Sequence, residues 1–328
     1  VEEAKAMIAV AAGKSSPGIR LITIDAGGTT VHHVSSQRDR QPSMAIGDNG
    51  TIHLAFWRRA SGCDTKPCSV GIFYAKSVDG ESWTVERVHG GERDVHPSIS
   101  LDPVGKPWIY YRSKSRVMEA HKSQGEWWNI AVGFGCCGPD PLAGPEALVA
   151  GGPARSAAGV QPSGLSPFIR LAVYRDDFGG GSIVLSIFEA DFIDGRTITH
   201  ADDAFDPDLV IDAEGELHVA YRRQSAGLWH AAFNEQGNVV RTKIANAEIV
   251  GAPAIAAFPG GGVLVVAATA THLIFRTNAT GPWTGGSIPM TDGGASAPGL
   301  ATTPSGGARV GFLLVGELWQ TRHGPVWP

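Results

Sequence analysis

Four residues stand directly before prolines at matching places in a repeated segment: Gln41, His96, Gln161 and Asp206. Four arginines, Arg58, Arg112, Arg175 and Arg222, close the same segment. Guanidinium forks gathered in one place hold carboxylate or sulfate groups through paired N–H donors. His96 adds an imidazole that titrates near neutrality, and Asp94 lies two residues before it. That spacing suits a general base held in one tautomer by a carboxylate. His96 and Arg112 are therefore the candidate catalytic pair, and Arg58, Arg175, Arg222, Gln41, Gln161 and Asp206 are candidate ligand contacts. An arginine at a strand end can equally serve structure by pairing with an aspartate of the next unit; Asp39, Asp94, Asp176, Asp177, Asp202, Asp203 and Asp206 are near enough in sequence. Four arginines at equivalent positions favour a shared anionic ligand.

The elements that position these residues announce themselves by recurrence. The copies read QPSMAIGDNGTIHLAFWR from Gln41, HPSISLDPVGKPWIYYR from His96, QPSGLSPFIRLAVYR from Gln161 and DPDLVIDAEGELHVAYR from Asp206. Weaker copies start at Ala252 and Ala297. Their prolines, at 42, 97, 162, 207, 253 and 298, are separated by 55, 65, 45, 46 and 45 residues. This is the period of a four-stranded antiparallel propeller blade, so the spacing predicts an all-β, six-bladed β-propeller. In such a blade the residue before the innermost strand and the residue leaving the second strand open on one face. The last two copies lose the polar pattern, with Gly251-Ala252 and Ser296-Ala297 before the prolines and Thr269 and Val315-Gly316 at the strand ends. They leave room beside an arginine-rich sector. Strand alternation turns Tyr111, Tyr174 and Tyr221 away from the arginines that follow them, into the packing between blades. His53 and His218, at matching places in second strands, read as blade structure.

Further strands follow each repeat: IFYAKS and WTVERV, RVMEAHKS and EWWNIAV, LWHAAFN and VVRTKIA, HLIFRTN and GPWTGGSIP. The turns GDNG, DPVG, DAEG and FPGGG between first and second strands place Gly or Asn where positive φ is needed. The sixth copy runs short, so GIRLITID (18–25) is expected to complete it and close the ring without an exposed edge. Residues 1–17 are then a tail or helix outside the propeller, and 18–328 a single domain. Gly 43 and Pro 21, with 18% charged residues, fit many short strands and tight turns. A net charge of −5 without a basic run argues against nucleic acid or a membrane surface as partner. No apolar stretch reaches the roughly 18 residues of a membrane span. Cys63, Cys68, Cys136 and Cys137 allow one or two disulfides that clamp their loops, or the adjacent pair bonded to itself, which points to a secreted or periplasmic protein. Their spacing is not a usual zinc pattern, and no metal or cofactor is expected. The long segment from Cys136 to Gln161 suits a lid or binding wall. Closed edges make a monomer the expectation.

The segment KSVDGESW (76–83) resembles the S-x-D-x-G-x-x-W Asp-box turn, one residue shorter, of the sialidase superfamily. With the P-S-[IM]-[AS]-[IL]-[DG] repeats, residues 41–328 resemble BNR or Asp-box propellers. A sialidase resemblance implies hydrolysis of a terminal acidic sugar by an arginine triad, a Tyr-Glu nucleophile pair and an Asp acid/base. This chain departs from that pattern: no F/Y-R-I-P motif precedes the first repeat, and no glutamate is evident beside a tyrosine. Similar propellers with a His at the start of a P-S-h-x-h-D strand are polysaccharide lyases of uronate glycans. That resemblance implies an Arg neutralising the uronate carboxylate and a His or Tyr removing the adjacent proton. The leading expectation is an exported enzyme acting on an acidic glycan by β-elimination. The alternatives are a sialidase-like hydrolase, a non-catalytic propeller that binds an anionic glycan or protein, and a lactonase-type metal hydrolase with Asp94 and Asp206 at a central cation.

Overall fold

The computed structural model describes residues 6–11, 18–25, 28–35, 39–47, 49–58, 70–91, 94–102, 104–114, 116–134, 148–152, 169–176, 182–189, 192–197, 204–212, 216–223, 227–233, 238–250, 252–258, 260–289, 299–302, 308–314 and 317–323. Two compact units divide the chain, 1–151 and 152–328.

The first unit holds three antiparallel meanders. β1 (Ala6–Ala11), β2 (Ile19–Asp25) and β3 (Gly28–His33) form a three-stranded sheet. β4 (Asp39–Ile46), β5 (Ile52–Arg58), β6 (Gly71–Ser77) and β7 (Thr84–His89) form the next, and β8 (Asp94–Leu101), β9 (Pro107–Ser113), β10 (Arg116–Ser123) and β11 (Glu126–Phe134) the third. In the second unit, β12 (Leu148–Gly152), where the division falls, leads a sheet with β13 (Ile169–Asp176), β14 (Ser182–Glu189) and β15 (Phe192–Thr197). There follow β16 (Ala204–Ile211), β17 (Leu217–Arg223), β18 (Gly227–Phe233) and β19 (Val239–Ala245); β20 (Ala254–Ala257), β21 (Val263–Ala268), β22 (His272–Thr277) and β23 (Thr284–Pro289); and a three-stranded sheet of β24 (Gly299–Thr302), β25 (Ala308–Leu314) and β26 (Glu317–His323).

Every strand is antiparallel to its chain neighbour within a sheet, and the pairs expected after each repeat are present as β6–β7, β10–β11, β18–β19 and β22–β23. The six-blade count needs correction: the described residues form seven sheets, five with four strands and two with three. The additional sheet is β1–β3, which has no proline-led strand to reveal it. Both edges of β2 are taken, by β1 (Ala6↔Ile24) and β3 (Arg20↔His33), so it does not complete the last sheet. The stretch 1–17, expected as a tail or helix, contains β1. Part of the presumed lid segment is strand too, at β12; Gln161 and the four cysteines Cys63, Cys68, Cys136 and Cys137 lie outside the described residues.

The second strand β5 is apolar on both faces because a neighbouring sheet covers each. In β5, Leu54 and Phe56 pack with Ile19, Leu21 and Phe73, while Ala55 packs with Ile72, Ile99, Ile109 and Tyr111. Ala220, Leu228, Ile255, Val263 and Val265 fill the equivalent layer between the β16–β19 and β20–β23 sheets. Each fully buried Leu, Ile or Phe contributes about 1.5–3 kcal/mol. Fourth strands such as β7 and β23 are largely exposed, whereas the second strands β5 and β21 are almost wholly buried.

The residue after the proline has a defined task at Ser43 and Asp208. Ser43 Oγ accepts the N–H of Ile99 (3.1 Å), which belongs to the next sheet. Asp208 repeats the bond in the second unit, its Oδ2 accepting from Ile255 N (2.8 Å) while Oδ1 accepts from Leu209 N. Ser43 and Asp208 thus stitch successive first strands together. At Ser77–Trp83 the turn is tied by Asp79, whose Oδ1 accepts from Ser77 Oγ, Glu81 N and Ser82 N, holding its carboxyl well below the usual range.

Candidate functional site

Three of the proline-led strands, β4, β8 and β16, are broken by a bulge at the X-Pro step. The register shifts between Arg40 and Ser43, between Val95 and Ser98, and between Phe205 and Asp208. The residue before proline takes a left-handed φ in all three: 51° at Gln41, 55° at His96 and 51° at Asp206. A bulge re-aims the side chain at the strand end. The sequence identified these three residues as equivalent, and the backbone makes them so.

In the first unit the bulges of neighbouring sheets bring Gln41 and His96 together. Gln41 Nε2 lies 2.8 Å from His96 Nδ1, and Gln41 Oε1 accepts the main-chain N–H of His96 at 3.2 Å. His96 is half-buried. Burial, then the positive charge of Arg112, lowers its pKa to about 4, so the imidazole is uncharged at neutral pH. Asp94 does not hold it, contrary to the sequence expectation. The Asp94 side chain is fully buried and its Oδ2 takes His89 Nδ1 (2.5 Å) and Gly91 N (2.7 Å) instead. Physically, Asp94 precedes the bulge and the left-handed residue turns His96 away from it.

The four arginines divide. Arg58 donates from Nε and Nη2 to the two oxygens of Asp39, at 2.7 and 2.8 Å, with both residues buried. Its guanidinium carbon also lies 4.0 Å from the Phe73 ring centroid. Arg58, expected from the sequence as a ligand contact, is thus engaged in a buried ion pair. Register explains why: Asp39 pairs with Arg58, whereas Val95 pairs with Arg112 and Phe205 with Arg222. The true counterpart of Arg112 in the second sheet is Trp57, opposite Arg40. Arg58 is one residue further on and faces the other side of the sheet. The aspartate it meets belongs to its own sheet rather than the next. Arg222 is bonded through Nε to Asp206 Oδ2, so these two candidates neutralise each other. Arg175 lies in β13 opposite Ile183, and Gln161 is outside the described residues.

Arg112 differs. Its Nε is buried and, among the described residues, has no hydrogen-bond partner. One guanidinium with donor capacity to spare thus accompanies one uncharged imidazole at the same end of β8 and β9. Such an arrangement can receive a carboxylate. Asp94 accepts from Gly91 N and Asp206 pairs with Arg222, each within its own unit.

Three further clusters stand apart. Tyr110 donates to Glu119 across β9–β10, a Tyr-Glu contact that the sequence reading missed because the partners meet across a hairpin; both are 0% exposed. Asp212, Glu216 and His218 place donor atoms within 4.8 Å of one another and could hold a metal ion. They lie at the β16–β17 turn, the opposite end of those strands from Asp206 and Arg222. His218 and His53 are buried as expected, His218 beside His230 Nε2 (3.0 Å) and His53 beside Tyr74 OH (2.7 Å). Tyr111 and Tyr221 are buried too. In the second unit a cavity of about 560 Å³ opens by Thr269, Thr271, His272, Glu248 and Ser287, where the fifth repeat was expected to leave room.

No family model matches the chain, and no curated protein matches it by sequence. Solved structures do. One is an ulvan lyase, a polysaccharide lyase bound to -[GlcA(1-4)Rha3S]-, at 11% identity and TM-score 0.65, covering 98% of this chain and 90% of that one. The α-L-arabinofuranosidase of Fusarium graminearum, with arabinobiose, matches at 13% identity and TM-score 0.58, covering 86% and 91%. The fucose-recognising lectin of Aleuria aurantia, a six-bladed β-propeller, matches at 12% identity and TM-score 0.53, covering 85% and 90%. Sialidases also match. At these identities the likeness establishes the fold, a β-propeller of antiparallel sheets.

Proposed function

We propose that this chain is an exported carbohydrate-active protein that takes an acidic, uronate-bearing glycan at His96 and Arg112 and cleaves it by β-elimination. The observation that carries the reading is the buried Arg112 Nε without a hydrogen-bond partner among the described residues, beside an imidazole that is neutral at working pH. Elimination requires the carboxylate charge to be neutralised so that the adjacent C–H becomes acidic. Its proton then leaves to a base, the electron pair forms C=C, and the glycosidic C–O bond breaks, the leaving oxygen taking a proton from water. Arg112 meets the first requirement. His96 can second it with a ring N–H, the abstracted proton then leaving to a solvent water, or take the proton on a bare ring nitrogen, and its tautomer decides between them. Support from fold comes from the ulvan lyase, whose ligand contains glucuronate.

Binding without cleavage is the second reading. It is favoured by the state of Asp39, Asp94 and Asp206, each engaged by a cation or N–H rather than free to act as a base. The test is ultraviolet absorbance of the unsaturated product during incubation with uronate polysaccharides, for wild type, His96→Ala and Arg112→Ala. A rise lost in both variants supports elimination at this site. Binding that Arg112→Ala weakens, with no rise on any substrate, supports the binder. A rise unchanged in Arg112→Ala refutes the site.

A further inference from the structure

We infer that Gln41 is a positioning residue that sets the tautomer of His96, so that His96 meets an anionic ligand with its Nε2–H as a donor. The argument starts from a group whose role is fixed. A main-chain N–H only donates, so the Gln41 atom facing His96 N is the carbonyl oxygen Oε1. The amide cannot be turned over without setting NH2 against N–H. Its Nε2 is therefore the atom 2.8 Å from His96 Nδ1, and an amide nitrogen also only donates. Nδ1 must accept, which leaves the single ring proton of the neutral imidazole on Nε2. Two bonds between residues 55 apart in sequence thus determine both the amide orientation and the imidazole proton.

Both partners stand on left-handed bulge residues, so the contact is built by the backbone rather than by two freely rotating side chains. A lone pair at Nε2 would repel a carboxylate held by Arg112, whereas Nε2–H adds a second donor to it. Gln41, expected from sequence to touch ligand, is spent on His96 instead. The ligand part of this inference rests on the proposed acidic-glycan function; the tautomer does not.

The test uses the whole chain with 15N-histidine, reading which ring nitrogen of His96 is protonated by two-bond 1H–15N correlation, with a His96→Gln sample to assign the signals. Wild type should show Nε2 protonated and Nδ1 bare. Gln41→Glu keeps size and keeps an acceptor for the main-chain N–H, but its second oxygen needs a proton from Nδ1. The signature should therefore change to a protonated Nδ1. Protonated Nδ1 in wild type, or an unchanged Nε2–H tautomer in Gln41→Glu, overturns the assignment. A glucuronate polymer titrated calorimetrically into the same proteins should bind about tenfold more weakly to Gln41→Glu. Equal affinity alongside a changed tautomer refutes the donor role. If wild type binds no acidic glycan, the functional proposal falls while the spectroscopic result still judges the tautomer.

Discussion

Replacing Asp39 with alanine leaves the Arg58 guanidinium buried, charged and without its two acceptor oxygens. The present geometry gives the size of the loss. Asp39 is 2% and Arg58 8% exposed, and the two parallel bonds of 2.7 and 2.8 Å are charge-assisted. Removing one partner of a buried pair costs about 3–5 kcal/mol, most of it the penalty of a charge that water cannot reach. The Phe73 ring lies under the guanidinium in wild type and variant alike, so a net loss of about 3–5 kcal/mol is expected. Urea unfolding at equilibrium, followed by tryptophan fluorescence, measures it, and added salt should change little because the pair is shielded from ions. The double variant Asp39→Leu with Arg58→Met should return to within about 2 kcal/mol of wild type, since apolar side chains of similar volume replace such pairs well. It should also retain glycan binding. A loss below about 1 kcal/mol in Asp39→Ala, or a folded double variant that no longer binds, would refute the assignment of Arg58 to structure.

Two further predictions concern acid. Burial lowers the pKa of His53 to about 4, with Lys76 adding to the effect, from an ordinary 6.5. Below pH 6.5 the unfolded chain therefore binds a proton that the native site refuses, and stability falls as pH drops from 6.5 towards 4, by up to about 1.4 kcal/mol per pH unit. His53→Phe should flatten that slope in urea titrations across the window, and an unchanged slope would exclude His53 as its source. Asp208 has the opposite sign: burial raises its pKa to about 6 against its N–H bonds, so the native state holds the proton more tightly and stability rises as pH falls from 6 towards 3.8. Asp208→Ser, which installs the residue that makes the same stitch at position 43, should stay within about 1 kcal/mol of wild type at pH 7 and lose this acid gain. Greater acid stabilisation in the variant would contradict the reading.

The repeat made most first strands visible before any coordinates, because proline can occupy a ladder only where its missing N–H is not needed, and the bulge provides such a place. The same spacing held the correction to Arg58. Sixteen residues separate Pro42 from Arg58 but fifteen separate Pro97 from Arg112 and Pro207 from Arg222, and one residue changes the face. The meeting of Gln41 with His96 was legible only as shared repeat position; the paired bonds depend on bulge geometry that composition does not express. β1–β3 escaped the count because alternation in AMIAVA and GIRLITID carries no proline to mark a blade. Tyr110 and Glu119 are neighbours through hairpin register, which spacing alone left undetermined.

The left-handed backbone at Gln41, His96 and Asp206 sets fold and site in competition. A residue with a Cβ avoids that region, and a following proline disfavours it further, at about 1–3 kcal/mol for each strained position. Glycine would relieve the strain without disturbing the bulge. A library selected for thermal tolerance alone should therefore drift towards Gly-Pro at Gln41 and His96, while Asp206 is retained by its bond to Arg222. One selected for ligand would keep the larger side chains and accept a lower melting point, the signature of positions maintained for use rather than for architecture.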